Sequence, residues 1–219
     1  MKRVIDVALA GAALLVGTPL LAAASIAIRL ESGGPVLFHQ LRVGRGRKPF
    51  RTLKLRTMRV EQVASSQITA AGDRRITRVG RVLRKTKLDE LPQLWNVLKG
   101  EMSIVGPRPE VPRYVEAYRP EWQKLFEVRP GITDLASLTF RDEEALLASA
   151  HDPERAYREI IMPMKLSIAI ESVERSSIGH DLAVIGRTAL SVIRIPSRRQ
   201  AAVLAEVRRR IEALNRERR

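Results

Sequence analysis

Two adjacent carboxylates, Asp89 and Glu90, stand in the stretch Thr86-Lys87-Leu88-Asp89-Glu90-Leu91-Pro92-Gln93-Leu94. Behind them Leu91, Leu94, Trp95 and Leu98 recur at i, i+3, i+4, i+7, the spacing of one helix face. Pro92 suits a first helical turn, where a missing N–H costs little. The spacing predicts a helix that begins at the carboxylates, where free N–H groups and the positive helix end also point. A phosphate can dock in such a place. Acidic residues at helix starts are most often simple caps, so the neighbouring residues decide what this pair is for.

Those neighbours are cations. A basic segment, Arg74 to Lys87, runs directly before the pair, and Arg84 lies five residues before Asp89, placed to turn inward toward a phosphate. Pro107-Arg108-Pro109 fixes the backbone on both sides of one arginine, and Val128-Arg129-Pro130-Gly131 is a second stiff turn carrying a cation. Each reads either as a rigid turn or as an arginine set in place for an anion.

The whole chain repeats this bias. Its 219 residues carry a formal charge of +15, which implies an anionic partner: nucleic acid, an acidic membrane surface or a phosphorylated substrate. Aromatic residues are only 4%, which weakens a base-stacking role. No cysteine is present, so thiol catalysis, disulfides and thiolate metal sites are excluded. His39, His151 and His180 are far apart in sequence and read as surface or packing residues.

The elements that must position these groups begin with an apolar run. No residue from Val7 to Ile28 is charged. As one helix that run would be about 33 Å long, near the thickness of a bilayer core. It is long for a signal peptide and lacks a clean cleavage site. Thr18-Pro19 lies at its middle: Pro19 cannot donate to the Leu15 carbonyl, and the Thr18 hydroxyl can bond back to that of Leu14. Both favour a bend, and positive flanks at both ends fit two cytoplasmic ends. These features leave a straight span and a re-entrant hairpin both open.

Glu31 to Pro35 is a turn signal. Val36–Gln40 then reads as a strand, with Gly44-Arg45-Gly46 turning a hairpin into Pro49–Arg56. The Gly-x-Gly completes no phosphate-loop pattern and is better read as that turn. Glu61–Gly72 reads as a mobile loop. Asp73–Lys87 reads as an amphipathic helix, with Ile76, Val79 and Leu83 on one side and Arg74, Arg78, Arg81 and Lys85 as a basic stripe suited to water or anionic headgroups. Gly100 is a plausible C-cap. Helical stretches follow at 111–118 and 121–126, Arg141-Asp142-Glu143-Glu144 opens a polar helix, and longer helices are predicted at 153–175 and 179–195. The segment 198–219 is a charged helix with a thin stripe of Val203, Val207, Ile211 and Leu214. It reads as a partner helix, a membrane-surface helix or a frayed tail. No internal repeat is present.

From Lys2 to about Ile193 these residues resemble the monotopic bacterial phosphoglycosyl transferases, also called bacterial sugar transferases. The resemblance rests on Gly34–Gly44, Phe50–Met58, Asp73–Arg81, Leu88–Leu94, Val105–Glu110, Val128–Thr133, Met162–Leu166 and His180-Asp181-Leu182, all in the family's order.

The resemblance implies an enzyme of the bacterial inner (cytoplasmic) membrane, facing the cytoplasm and monotopic. It implies transfer of a phosphosugar from a nucleotide diphosphosugar, usually a UDP-sugar, to a polyprenol phosphate such as undecaprenyl phosphate, releasing a nucleoside monophosphate. Such a step opens glycoconjugate assembly. It further implies Mg2+, a covalent phosphosugar on Asp89, and a re-entrant N-terminal helix broken at Thr18-Pro19, where the family has Ser-Pro. Asp89 and Glu90 become the catalytic pair and candidate metal ligands. Glu90 either holds Mg2+ or helps to activate the lipid phosphate. Arg84, Arg108, Arg129, Arg141, Asp181, Lys54 and Arg56 become candidate substrate and phosphate contacts. A carboxylate can attack phosphorus once charge repulsion is offset by cations and a helix N-terminus.

Two departures bear on the donor. Asp134 stands where relatives often have glycine, and Leu138-Thr139-Phe140 replaces a segment commonly like Val-Asn-Gly. With no large N-terminal multi-helix domain, the chain looks like the minimal catalytic form.

The expected fold is α+β and mostly helical. It has a re-entrant hairpin at 1–30, a catalytic unit at 31–195 with amphipathic interfacial helices and a small β-hairpin, and a charged helix at 196–219. The long C-terminal helices permit a homodimer. Expected partners are the two substrates and anionic phospholipid, with no nucleic acid. The competing reading is a membrane-anchored basic protein that binds nucleic acid or anionic lipid without catalysis. It predicts salt-steep binding and no role for Asp89 or Glu90.

Overall fold

A computed structural model describes residues 1–59, 69, 71–190 and 197–217. Of the loop expected at Glu61–Gly72, residues 61–68 and 70 lie outside the described residues. So do 191–195 of the helix expected to end at Ile195 and the last two residues of the C-terminal helix.

The apolar run forms α1 (Lys2–Ser32), helical throughout with Pro19 inside it. The Thr18 hydroxyl donates to the Leu14 carbonyl at 2.7 Å, the back-bond expected beside a proline. The helix is long and apolar enough to cross a membrane, and only 11% of its most apolar stretch is buried. One side packs on the rest of the protein. Ala10 and Leu14 meet Phe50, Leu94, Val97 and Met102, while Leu21, Ala24 and Ile28 meet Leu55, Leu83 and Leu88.

Polar bonds fix α1 at both ends. Asp6 is buried and accepts from the Ser103 hydroxyl at 2.8 Å and the Ile104 N–H at 3.1 Å. Glu31 accepts from the Arg78 and Val79 N–H groups at 2.7 and 2.8 Å.

The hairpin is as expected. β1 (Leu37–Val43) and β2 (Pro49–Leu55) pair antiparallel, with Leu37 opposite Leu55 and Val43 opposite Pro49. A 3-10 turn, Arg45–Arg47, joins them, and Gly46 supplies its positive φ of 64°. α2 (Arg78–Thr86) is shorter than the helix expected from Asp73. Thr77 caps it, accepting from the Gly80 N–H, while Asp73 turns back on Arg75. Asx chemistry thus won over helix periodicity before Thr77.

Lys87, at φ 61°, turns the chain out of α2. Leu88–Glu90 is a 3-10 turn, and α3 (Gln93–Lys99) follows, closed by Gly100 at φ 88°. The carboxylates therefore precede α3 in a tight turn instead of opening it. The expected apolar face is also rotated. Leu94 and Val97 are buried, Trp95 is 51% exposed, and Asn96 is turned inward.

β3 (Ser103–Val105) and β4 (Gly131–Thr133) form a parallel pair that periodicity did not reveal, since three residues cannot show a pattern. Between them lie α4 (Pro112–Val115) and a 3-10 segment, Pro120–Phe126. After β4 come α5 (Leu135–Thr139), α6 (Glu143–Ala148), α7 (Pro153–Ala156), a π-turn at Tyr157–Ile161, α8 (Met162–Glu174), α9 (Ile178–Leu190) and α10 (Arg198–Arg216). The largest core cluster gathers Tyr114, Trp122, Phe140, Leu147, Ile161 and Leu166, and α10 contributes fully buried Val207 and Ile211 to it.

Candidate active site

The Asp89–Glu90 turn is held against the flank of α1. Leu88, just before it, packs with Leu21, Ala24 and Ile28, and Leu91, just after it, packs with Ala10 and Leu14. Gly17 faces the Leu91 side chain closely enough that an added Cβ would touch it at 3.7 Å. The turn that carries the carboxylates thus packs along the middle of the apolar helix, through Leu88 and Leu91.

β2 reaches the same place through Asn96. Its side-chain oxygen accepts from the Leu53 N–H at 3.0 Å, and its amide donates to the Arg51 carbonyl at 2.8 Å and to Glu101 at 2.7 Å. These bonds pin α3 to the strand that carries Lys54. Sequence reasoning missed Asn96. Its signal was a polar residue between buried Leu94 and Val97.

Glu90 is buried and fully engaged. Its Oε1 accepts from Lys54 Nζ at 2.8 Å and also from Arg108 Nη2; its Oε2 accepts from Arg108 Nη1 at 3.2 Å. Burial alone would raise its carboxyl, but Arg108 and Lys54 outweigh burial and hold it well below the usual range. Asp89 is also buried, yet its Oδ1 has no hydrogen-bond partner among the described residues. Burial and the neighbouring Glu90 charge raise its carboxyl, only partly offset by Lys54, Lys87 and Arg84. Burial lowers Lys54 in turn, against the pull of Glu90.

Arg108 also lines a cavity of about 200 Å³ whose lining includes neither Asp89 nor Glu90. Arg42, Arg84 and Lys165 line it as well, and each is paired with an acid: Glu110 at 3.0 Å, Glu144, and Glu143 at 2.6 Å. Tyr157 donates to Glu110 and Tyr114 donates to Glu154. The cavity is thus charged on both signs and rich in acceptors.

The structure brings Asp89, Glu90, Lys54 and Arg108 together. Arg84 stands at the edge of this group, donating to the Thr57 hydroxyl at 3.2 Å and to Glu144, and adding to the positive field at Asp89. Arg141 shares a surface cleft with Arg81, Arg84, Lys85 and Lys87. Arg56 is placed elsewhere, buried and donating to the Ser32 hydroxyl and the Gly33 carbonyl at the end of α1. Arg129 and Asp181 meet in a second cavity with Lys2 and Arg3. There Arg129 donates to the Gly100 carbonyl at 2.8 Å and Asp181 accepts from Lys2 at 2.5 Å. Thr18 and Pro19 are exposed on α1.

The Asp89 Oδ1, buried and without a donor, suits a divalent cation completed by phosphate oxygens. Glu90 suits one less, because both its oxygens already face cations. Among the described residues no three Asp, Glu or His side chains cluster as a metal site. What the arrangement can do is hold a strongly anionic group on Arg108 and Lys54 beside a carboxylate whose charge is poorly satisfied.

Known proteins are similar to this chain in sequence. A UDP-glucose:undecaprenyl-phosphate glucose-1-phosphate transferase of Caulobacter vibrioides is 40% identical over 199 residues, covering 88% of this chain and 69% of its own. A UDP-N-acetylgalactosamine-undecaprenyl-phosphate N-acetylgalactosaminephosphotransferase of Aeromonas hydrophila is 44% identical over 142 residues, covering 63% of this chain and 34% of its own. A UDP-glucose:undecaprenyl-phosphate glucose-1-phosphate transferase of Escherichia coli is 43% identical over 143 residues, covering 63% and 31%. The chain thus spans about a third of the length of the last two. The profile of the family described as Bacterial sugar transferase matches residues 1–195. With that match over most of its length, the chain belongs to the bacterial sugar transferase family.

Proposed function

We infer that this chain transfers a sugar phosphate from a UDP-sugar to undecaprenyl phosphate, releasing UMP and starting polysaccharide assembly. The observation that carries the reading is the unequal setting of Asp89 and Glu90. One carboxylate organises two cations; the other is buried and raised, with its Oδ1 unpartnered among the described residues, as a nucleophile would be before its target arrives.

In this reading the diphosphate of the donor docks on Arg108 and Lys54. An Asp89 carboxylate oxygen attacks the phosphorus that carries the sugar. The bond from that phosphorus to the bridging oxygen breaks, and the oxygen leaves with UMP. An oxygen of the lipid phosphate then attacks the same phosphorus and frees Asp89. Both charged substrates must be brought close to a carboxylate, so preorganised cations supply most of the stabilisation. Mg2+, when bound at Asp89, would offset the diphosphate charge. Glu90 acts through Arg108 and Lys54, fixing where the phosphate sits.

The reading extends to the membrane. α1 enters and leaves the bilayer from the cytoplasmic face, bending at Thr18-Pro19, and the basic stripe of α2 lies on anionic headgroups. Support comes from the tethers of α1: Asp6 to β3 near its start and Glu31 to α2 near its end both join it to one folded unit. The lipid phosphate then arrives at headgroup level, beside the carboxylates.

The test is UMP release by purified protein given undecaprenyl phosphate, Mg2+ and a panel of UDP-sugars. A stoichiometric burst of UMP without lipid, leaving labelled sugar phosphate on the protein, is expected for attack by Asp89. Release only when lipid is present would replace that step with direct attack by the lipid. No release with any donor would defeat the reaction. For the helix, cysteines placed near Lys2 and Glu31 should be labelled from the same side of the membrane; labelling from opposite sides would make α1 a straight span.

A further inference from the structure

Asp134 begins the loop between β4 and α5. It is only 1% exposed, yet it makes no ion pair among the described residues. Its Oδ1 accepts from the Ser137 N–H at 2.6 Å, which caps α5. Its Oδ2 is buried with no partner among the described residues. A cap needs only one oxygen, and a buried acceptor without a donor is rare in folded proteins. The second oxygen is therefore unexplained by the fold.

The residue lines the same cavity as Arg108, Glu143 and Lys165. Lys165 is taken up by Glu143 at 2.6 Å and Arg108 by Glu90, so neither cation is spent on Asp134. Arg108 is bonded to Glu90 and lines this cavity together with Asp134. A phosphate on Arg108 would therefore place its substituent toward Asp134. During attack by Asp89 the group that stays on that phosphorus is the sugar, whereas the nucleotide must leave. A buried carboxylate oxygen that lacks a donor suits a polyhydroxyl group, whose O–H groups can donate to it.

We propose that Asp134 is a specificity-determining residue, its free Oδ2 accepting a hydrogen bond from a hydroxyl of the donor sugar. The proposal rests on the transferase reading above. A site built to bond a hydroxyl rejects an analogue that lacks it, because the buried oxygen is then left unsatisfied.

The experiment is equilibrium binding of UDP and of UDP-hexoses to Asp89→Asn protein, with and without Asp134→Asn. Asparagine caps a helix as well as aspartate does, so the fold is retained, and thermal unfolding checks this. Asp134→Asn should weaken the preferred UDP-hexose by about tenfold or more and leave UDP unchanged. It should also narrow the gap between that hexose and its deoxy analogues. Equal weakening of UDP and UDP-hexose, or no change in either, would overturn the proposal. If the wild type binds UDP-hexoses but releases no UMP, the reaction falls and the binding result still decides the role of Asp134.

Discussion

Arg108 donates both terminal guanidinium nitrogens to Glu90, across eighteen positions of sequence, while Asp89 beside it keeps a buried oxygen unpartnered. The bidentate pair and Lys54 hydrogen-bond one carboxylate, while the other receives only part of the field of Lys54 and no hydrogen bond from either cation among the described residues. Two neighbouring residues of the same chemistry therefore carry opposite energetic signs.

Stability should reveal those signs. The Asp89 carboxyl is raised above its ordinary 3.8, so its contribution is most favourable below that pH and is lost as pH rises through the folded value. Glu90 is held below its ordinary 4.5, so its contribution is present above that pH and is lost as pH falls through the folded value. At pH 7, Asp89→Asn should therefore raise Tm. Glu90→Gln should lower stability by about 3 kcal/mol, because Arg108 and Lys54 are left uncompensated. Thermal unfolding between pH 4 and pH 8 measures both, and the Asp89→Asn advantage should shrink toward the acid end.

The same asymmetry predicts the pH dependence of turnover. Asp89 must be ionised to attack, so the acid limb of kcat/KM should lie above the ordinary aspartate range. Asp89→Asn should cut UMP release by at least about 10³-fold while the protein stays folded. A variant with near-wild-type turnover would remove Asp89 from the chemistry.

Arg108 is set by shape as well as charge. Pro107 and Pro109 fix its backbone, and its fork matches the Glu90 carboxylate. Arg108→Lys keeps the charge but cannot bond twice in the same plane. UMP release should fall by about 10²-fold, with Glu90 no longer held in one orientation. Steady-state kinetics with the preferred UDP-sugar would show it, and equal rates for the two proteins would mean that the geometry of the pair is irrelevant.

How far the sequence foretold this arrangement differs by residue. The hairpin, the Gly100 cap and the Thr18 back-bond were legible because each depends on local chemistry. The resemblance named Lys54 and Arg108 only as phosphate contacts, and their convergence on Glu90 was not legible, since spacing says nothing about contacts between distant segments. The resemblance groups Arg129 and Asp181 with the carboxylates, but both line a separate cavity, bonded to the Gly100 carbonyl and to Lys2. The parallel pairing of β3 and β4 was hidden because three-residue strands have no period. Trp95 was expected inside from its spacing, but Asn96 took the inward place because β2 offers backbone partners that satisfy its amide.

Gly80 shows how closely α2 must approach the backbone just after β2. A Cβ there would overlap the Thr57 backbone carbonyl, and backbone cannot swing aside as a side chain can. The contact also brings the Arg84 guanidinium to the Thr57 hydroxyl at 3.2 Å. Gly80→Ala should destabilise the protein by about 1–3 kcal/mol through overpacking. Denaturant unfolding would measure it, and a neutral effect would mean that α2 can lift from the Thr57 backbone without loss.

α10 tests whether the C-terminal helix is an appendage or part of the core. Its sequence carries a thin apolar stripe amid charge, and such a stripe could equally lie on a membrane or on a partner. In the structure Val207 and Ile211 are fully buried among the residues of α5 to α8, and the Asn215 amide donates to the Ser149 carbonyl at 3.0 Å. A surface helix would lose little on truncation of one such side chain, whereas a core helix leaves a cavity that close-packed neighbours cannot fill. Ile211→Ala should therefore cost about 2–5 kcal/mol, seen as a fall in the denaturant midpoint with the slope unchanged. A cost below about 0.5 kcal/mol would mark α10 as a surface element free to serve a partner.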